Sequence, residues 1–321
     1  MRILVLHSDV AADARPDELD TLVAAEAIAA ALMEEGHVAV QAPFVPEPAA
    51  LAARVSGADL VFNLVESIYG QDELAMLAPA MLERLGVRYT GANAAAIALT
   101  ADKPAAKRVL RAAGLATPAW AQAPRWDGLA DDVRYIVKSA TADASIGLDD
   151  ASVARGAAAV KARAADCAAR FGGRWFAEAF VDGREFNVAL MDEGEGPRVL
   201  PLAEMRFTDW DASRPKIVDY AGKWDDADAG GAKMVRSFDC AADEPALARA
   251  LREMALASWE LFGLAGYARV DFRVDGAGEP TILEINPNPC LEPGAGFAAA
   301  GYEAGYSYGE LIGRIADGAH G

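Results

Sequence analysis

Hydrophobic and polar positions repeat with two different periods along this chain of 321 residues. "RILVL" is a short apolar run. "DELDTLVAAEAIAAALMEEG" after it repeats at helical spacing, with Leu22, Ala25, Ala29 and Leu32 on one face and Gly36 as a stop. "HVAVQA" and "ADLVFNLVE" read as further strands, "DELAMLAPAMLERLG" as a second helix, and "VRYTG" as a short strand before a turn. Alternating strands and helices with short connections predict a parallel α/β layer over roughly the first hundred residues.

The texture then changes. "TADKPAAKRVLRAAGLATPAW" predicts a helix with Pro104 in its first turn and a proline-marked exit. "VRYIVK", "RWFAEAFV", "REFNVALM" and "RVLPLAEMRF" predict strands, with one helix, about Ser152 to Phe171, between the first two. Strands this close in sequence suit an antiparallel sheet. Thr208 to Lys233 is long, polar and rich in Asp and Gly, which marks either a functional loop or disorder. A helix near Glu244 to Phe262 leads into "ARVDFRVDGAGEPTILEINPNPC", two β-like runs around a turn, and "SYGELIGRIAD" closes the chain as a helix.

That hairpin carries charges in an apolar setting. Strand alternation puts Arg269, Asp271 and Arg273 on one face and Val270, Phe272 and Val274 on the other. In the second run it groups Ile282, Glu284 and Asn286 away from Leu283 and Ile285. Paired, the two runs gather Asp271, Glu284 and Asn286 on one side of a sheet. These residues offer only oxygen donors, the preference of hard cations such as Mg²⁺, which commonly shares itself with nucleotide phosphates. The one soft ligand nearby is Cys290, so zinc is disfavoured. Surface carboxylates paired with Arg269 and Arg273 fit the same spacing. The apolar setting favours a metal-neutralised cluster, because unpaired buried carboxylates are costly.

Composition narrows the partners. At 53% hydrophobic the chain can build two or three subdomains with cores. A net charge of −18 repels nucleic acid and anionic lipid, so neither is expected as a partner. Any anionic ligand must then be held by local cations or a metal. No run of about 18 apolar residues is present, so no membrane-spanning helix is expected. The opening "MRILVLHSDV" reads as a strand and not as a secretory signal. Cys167, Cys240 and Cys290 are scattered and odd in number, which fits a reducing cytoplasm better than a disulfide framework.

"RVDFRVDGAGEPTILEINPNP" resembles the metal-binding signature of the ATP-grasp superfamily, and four further stretches extend the likeness to D-alanine–D-alanine ligases and related carboxylate–amine ligases. These are "YTGANAAAIALTADKPAAKRVLRAAGLATP", "YIVKSATADASIG", "FAEAFVDGREFNVALM" and "VDYAGKW", in family order over about Tyr89 to Asp317. The resemblance implies an ATP-grasp fold of mixed α/β and α+β class. It comprises an amino-terminal α/β unit over 1–100, a central ATP-grasp unit over 101–183, and a carboxyl-terminal unit over 184–321 with the metal site and a mobile loop at 208–233.

It also implies roles. Lys103, Lys138 and Lys223 would meet ATP phosphates under the loop holding Ser145. Glu178, Phe180 and Val181 would hold adenine, and Glu185 the ribose. Asp271, Glu284 and Asn286 would bind Mg²⁺ (or Mn²⁺), and Arg269 would stabilise the acyl intermediate, with Lys223 as its catalytic companion. The expected activity is an ADP-forming ligation of a small-molecule carboxylate to an amine through an acyl phosphate. A kinase that stops at phosphoryl transfer, or D-alanine–D-alanine ligase proper, are the alternatives. Phosphoryl transfer needs positioning and charge neutralisation, and an acyl phosphate must be shielded from water, for which Thr208–Lys233 is the natural lid. The related ligases are commonly dimers, which admits a homodimer.

The departures cluster on the substrate side. Ala144 stands where those ligases have a serine, and Trp224 replaces the loop tyrosine. After Asn286 the ligases use Gly and Ser to bind the second D-alanine; here Cys290 takes the glycine position and Ala295 sits near the serine. Asp17 and Glu66 are loose candidates for an ammonium partner, while Trp224 and Phe297 would enlarge an apolar pocket lining. With three histidines all in distant segments, Cys290 reads as pocket lining and not as a nucleophile. These changes predict an acceptor other than D-alanine.

Overall fold

A computed structural model describes residues 1–11, 13–220 and 233–320. The first run of the chain forms β1 (Arg2–His7), α1 (Pro16–Glu34), β2 (Val38–Pro43), α2 (Pro48–Val55) and β3 (Leu60–Leu64). The three strands pair parallel in the order β2-β1-β3. β1 is apolar from Ile3 to Leu6 because both its faces are covered: Ile3 and Val5 pack under α1, while Leu4 and Leu6 pack with Phe44, Leu51 and Leu82. The α2 helix is not marked in the sequence pattern; it is a short segment begun by Pro48 and capped by the Glu47 carboxylate.

Next come α3 (Leu77–Leu85), α4 (Ala94–Ala101) and α5 (Lys103–Ala112). "VRYTG" makes no full strand; Tyr89 forms single bridges to Val61 and His320. The predicted Pro104 helix is preceded by a second one, and each has its own cap. Asn93 accepts from the Ala96 N–H at 2.8 Å, and Asp102 accepts from the Ala105 N–H at 2.7 Å.

The strands β4 (Trp120–Gln122), β5 (Arg134–Ser139) and β6 (Val153–Arg155), the helix α6 (Gly156–Phe171) and β7 (Trp175–Ala179) follow. Their sheet is antiparallel, in the order β4-β7-β5-β6, with α6 on one face. A second antiparallel sheet takes over with β8 (Gly183–Asp192), β9 (Pro197–Val199), β10 (Ala203–Thr208), β11 (Lys233–Ser237), β12 (Tyr267–Asp275) and β13 (Pro280–Asn286). Its path is β11-β10-β8-β12-β13, with β9 also on β8. The expected single sheet is thus two, exchanged between Ala179 and Gly183. The helix α7 (Pro245–Phe262) covers the second sheet, and α8 (Gly296–Glu303) and α9 (Tyr308–Asp317) return to pack with α1. Among the described residues no helix is long and apolar enough to cross a membrane.

The β12–β13 register pairs Arg269 with Asn286 and Asp271 with Glu284, then skips Leu283 so that Phe272 faces Ile282. This bulge corrects the simple alternation. Ile282 lies in the core with Val270, Phe272 and Ile285, not on the face of Glu284. The cause is lateral: the Ile282 N–H donates to the Ala116 carbonyl and its own carbonyl accepts from the Thr117 hydroxyl, both at 2.8 Å. Phe297 is corrected too. It is fully buried, edge-on to Tyr267 with ring centroids 5.6 Å apart, and is not among the residues that line the cleft.

One glycine fixes where β12 begins. Gly266 has φ +68°, and a Cβ there would meet the Gly91 nitrogen at 2.8 Å. A Gly266→Ala protein is expected to lose about 1–3 kcal/mol of stability in chemical denaturation, from backbone strain and this clash. A loss below about 0.5 kcal/mol would show that the two segments are not held in contact.

Candidate active site

A cleft of about 760 Å³ lies between the sheets, lined by Lys103, Lys138, Glu178, Phe180, Val181, Glu185, Arg269, Asp271, Glu284 and Asn286. The amino-terminal layer contributes Asp17 and Glu66, and the loops around the two sheets contribute Ser145, Cys290 and Ala295. Lys223 and Trp224 lie outside the described residues.

α5 carries two lysines on one face, four residues apart; Lys103 lines the cleft, while Lys107 is buried. The Lys103 ammonium donates to the Asp143 carboxylate at 2.6 Å and the Ala142 carbonyl at 3.0 Å, and lies 4.0 Å from Glu284. Burial alone would lower its pKa, but Asp143 and Glu284 outweigh burial and raise it, so it stays charged. Lys107, one turn on, escaped the sequence reading. Its ammonium lies 2.5 Å from one oxygen of Glu178, and Lys138 on β5 lies 2.7 Å from the other.

Glu178 is almost fully buried. Burial pushes its carboxyl up, but the two lysines more than reverse this and hold it ionised. Lys107 also donates to Thr117 at 2.9 Å, and Thr117 donates to Ile282, so the lysine–glutamate–lysine group is tied to the bulge of β13. The spacing of Lys107 from Lys103 was the sequence signal for it. Since both Glu178 oxygens already face ammonium groups, any contact with an adenine amino group must share them.

The hairpin charges are also committed. Arg269 grips Asp271 with two hydrogen bonds of 2.7 and 2.8 Å, and Asn187 on β8 donates to the same carboxylate at 2.9 Å. Burial would lower the Arg269 pKa, but Asp271 and Glu284 raise it. Asn187 was also missed; it alternates with Glu185 on the same strand face. Glu185 is held by Arg273 at 2.9 Å, while Asn286 accepts from the Asn288 N–H at 3.1 Å. Asp271, Glu284 and Asn286 therefore stand side by side as an all-oxygen donor set beside Lys103 and Arg269. Such a set fits Mg²⁺ or Mn²⁺ and offers nothing to a soft metal.

The phosphate-loop candidate bends sharply. Ala144 and Ser145 have φ +56° and +60°, and the Ser145 hydroxyl donates to the Val218 carbonyl at 2.9 Å. Through that contact the described part of the Thr208–Lys233 segment closes over the loop. It continues to Tyr220, whose hydroxyl donates to Asp17 at 2.8 Å. Asp17 also accepts from Arg15 at 3.0 and 3.1 Å. Burial pushes the Asp17 carboxyl up, but Arg15 and Tyr220 win and lower it.

Glu66 is in the opposite situation. It lines the cleft with its residue surface exposed, and the protein around the cleft together with Asp20, Asp72, Asp143 and Asp17 pushes its carboxyl up to about 8. Asp72 is pushed up to about 7 by burial and by Asp143. The Cys290 thiol donates to Asp20 at 2.9 Å, and burial, Glu66 and Asp20 drive it far up, so no thiolate nucleophile forms. Ala295 precedes α8 at the rim.

A family model described as D-ala D-ala ligase C-terminus matches residues 129–317. A D-alanine–D-alanine ligase from Desulforudis audaxviator is 32% identical over 305 residues, 91% of each chain. One from Cupriavidus necator is 31% identical, over 85% of this chain and 79% of that protein. The Sinorhizobium fredii protein y4sG is 32% identical over 92% of this chain and 87% of its own length. The crystal structure of D-alanine–D-alanine ligase from Bacillus anthracis complexed with ATP superposes with a TM-score of 0.75, at 19% identity, over 99% of this chain and 97% of that one. The VanG D-Ala:D-Ser ligase from Enterococcus faecalis gives 0.74 at 14% identity, over 98% of both chains. At these identities the structural likeness is one of fold.

Two measurements test the charge arrangement. Glu178→Gln leaves two buried ammonium groups facing each other and is expected to destabilise by about 3–5 kcal/mol in urea, whereas Lys107→Met, which leaves a neutral pair, costs less. The reverse order would contradict the pairing. For Glu66 the raised pKa means that ionising it costs folded stability. That cost is absent below its ordinary 4.5, grows as pH rises, and is complete above about 8. Glu66→Gln should therefore raise the melting temperature by about 1–2 °C more at about pH 9 than at about pH 4. An equal effect at both would remove the acidic ring as its cause.

Proposed function

Because this chain belongs to the D-alanine–D-alanine ligase family of ATP-grasp carbon–nitrogen ligases, we propose that it joins a small-molecule carboxylate to an amine, converting ATP to ADP and phosphate. The observation that carries this reading is the meeting of Asp271, Glu284 and Asn286 with Lys103, Lys138 and Arg269 on one cleft in a chain of net charge −18. A triphosphate entering an otherwise repulsive protein needs such a local reversal of field.

In this reading Lys103 and Lys138 position the phosphates, with Lys223 a third candidate. Lys103 exchanges Asp143 for phosphate oxygen as the nucleotide enters. Glu178, Phe180 and Val181 bound the base, and Glu185 the ribose. Asp271, Glu284 and Asn286 would hold Mg²⁺, which neutralises charge on the transferring phosphoryl group. A substrate carboxylate oxygen attacks the γ-phosphorus and ADP leaves. The amine nitrogen then attacks the acyl carbon, phosphate leaves, and Arg269 stabilises the oxyanion formed on the way. The segment at 209–220, anchored to Ser145 and Asp17, excludes water from the acyl phosphate. Glu66 serves as partner for a substrate ammonium, since Asp17 is already met by Arg15 and Tyr220.

The acceptor differs from D-alanine in this reading. Cys290 and Ala295 replace the glycine and serine that hold the second D-alanine in the related ligases. A lost hydrogen bond to a charged carboxylate costs about 1.5–3 kcal/mol.

The test is ADP release from Mg-ATP with pools of amino acids, read together with product mass. Amine-dependent ADP with a new amide is expected, and Lys138→Ala and Glu284→Ala should each lower the rate by about 10²-fold or more. A phosphorylated product formed without amine would replace the ligase by a kinase. Dipeptide from D-alanine at a rate no other amine matches would overturn the acceptor assignment.

A further inference from the structure

The basic side chains that line the cleft are nearly all matched to carboxylates. Arg15 pairs with Asp17, Lys103 with Asp143, Lys138 with Glu178, Arg269 with Asp271 and Arg273 with Glu185. Arg236 is the exception: among the described residues no carboxylate lies within 4.0 Å of its guanidinium. It stands on β11 opposite Met205, and both residues line the cleft.

Its surroundings are electropositive. The guanidinium donates to the Gly294 carbonyl at 3.1 Å, and its Nε would lie 3.6 Å from a Cβ placed on Gly296. That is the first residue of α8, whose amino-terminal end no side chain caps. Arg236 is exposed at the cleft rim; the protein mass around it, and after that the charge of Arg269, lower its pKa. Glu292 opposes this, but one of its carboxylate oxygens already accepts from the Gly294 N–H at 2.8 Å. Two guanidinium groups and an open helix end thus converge, with only Glu292 as a partial counterweight. Arg269 spends Nε and Nη2 on Asp271, whereas Arg236 spends one donor on a carbonyl and none on a carboxylate, which leaves it a fork suited to one.

We infer that Arg236 is the residue of this chain that recognises the carboxylate of the acceptor amine. This rests on the ligase reading above. It assigns to β11 a specificity contact made in place of a hydroxyl at Ala295. A carboxylate seated there relieves the repulsion between Arg236 and Arg269 and orients the amine toward the hairpin charges.

The experiment compares free D- and L-amino acids with their carboxamides as acceptors, reading ADP release with Mg-ATP. Wild type should favour the acid over its amide at least about ten-fold in kcat/KM, through KM. Arg236→Ala should bring that ratio close to one, and Arg236→Lys should restore part of it. Amides serving as well as acids, or Arg236→Ala keeping the preference, overturns the inference and leaves the ligase intact. Should the alanine variant not fold, the wild-type ratio and the lysine variant decide. Absence of ADP release with every amine removes the ligase reading itself, and this inference with it.

Discussion

Two carboxylates directly opposite one another on neighbouring strands repel, and the cleft is organised around that constraint. Asp271 faces Glu284 across the hairpin. The pair is tolerable because Arg269 grips Asp271 from its own strand, Asn187 supports it from the next one, and Lys103 stands 4.0 Å from Glu284. Each of these comes from a different element. The antiparallel sheet, the position of α5 and the bulge at Leu283 are therefore required together. The same concentrated negative charge is what a divalent cation would share with phosphate oxygens.

A second charge group sits beside the first. Lys107, Glu178 and Lys138 form a buried set that carries excess positive charge and is tied through Thr117 to the bulged strand. A nucleotide base held against Glu178 and phosphates held by Lys138 would thus be coupled to the geometry of the metal-binding candidates. Beside Lys103 the balance reverses. Glu66 and Asp72 stand among carboxylates that push both carboxyls up, and that negative field favours a cation there. Cationic and acidic groups thus alternate along the cleft, with Arg236 at the rim.

Much of this could be read along the chain. Strand alternation placed Asp271, Glu284 and Asn286 on one side of a hairpin, and the parallel layer followed from apolar runs alternating with helical periods. Lys107 and Asn187 were hidden for different reasons. A lysine one turn beyond another looks like a solvated helix face, and an asparagine in a strand looks like a surface position. Only the packing of α5 against Thr117 and β5 buries the first, and only the β8–β12 pairing brings the second to Asp271. Ile282 was misassigned because a bulge is set by what lies beside a strand, here Ala116 and Thr117, and not by the strand's own residues. Phe297 was misassigned because a helix start can point to the core or to the cleft, and Tyr267 decided which.

The order of residues sets the available groups and their local periodicity: oxygen donors at alternate strand positions, lysines at a helix start, and a net charge that makes every cation in the cleft count. Those follow from bonded geometry, which acts over a few residues. Packing in three dimensions sets which opposite charges meet, how far each carboxyl is pushed from its usual pKa, and which described cation of the cleft is left without a carboxylate. These depend on distances between elements far apart in the chain and on how much water burial removes, and no local pattern encodes either.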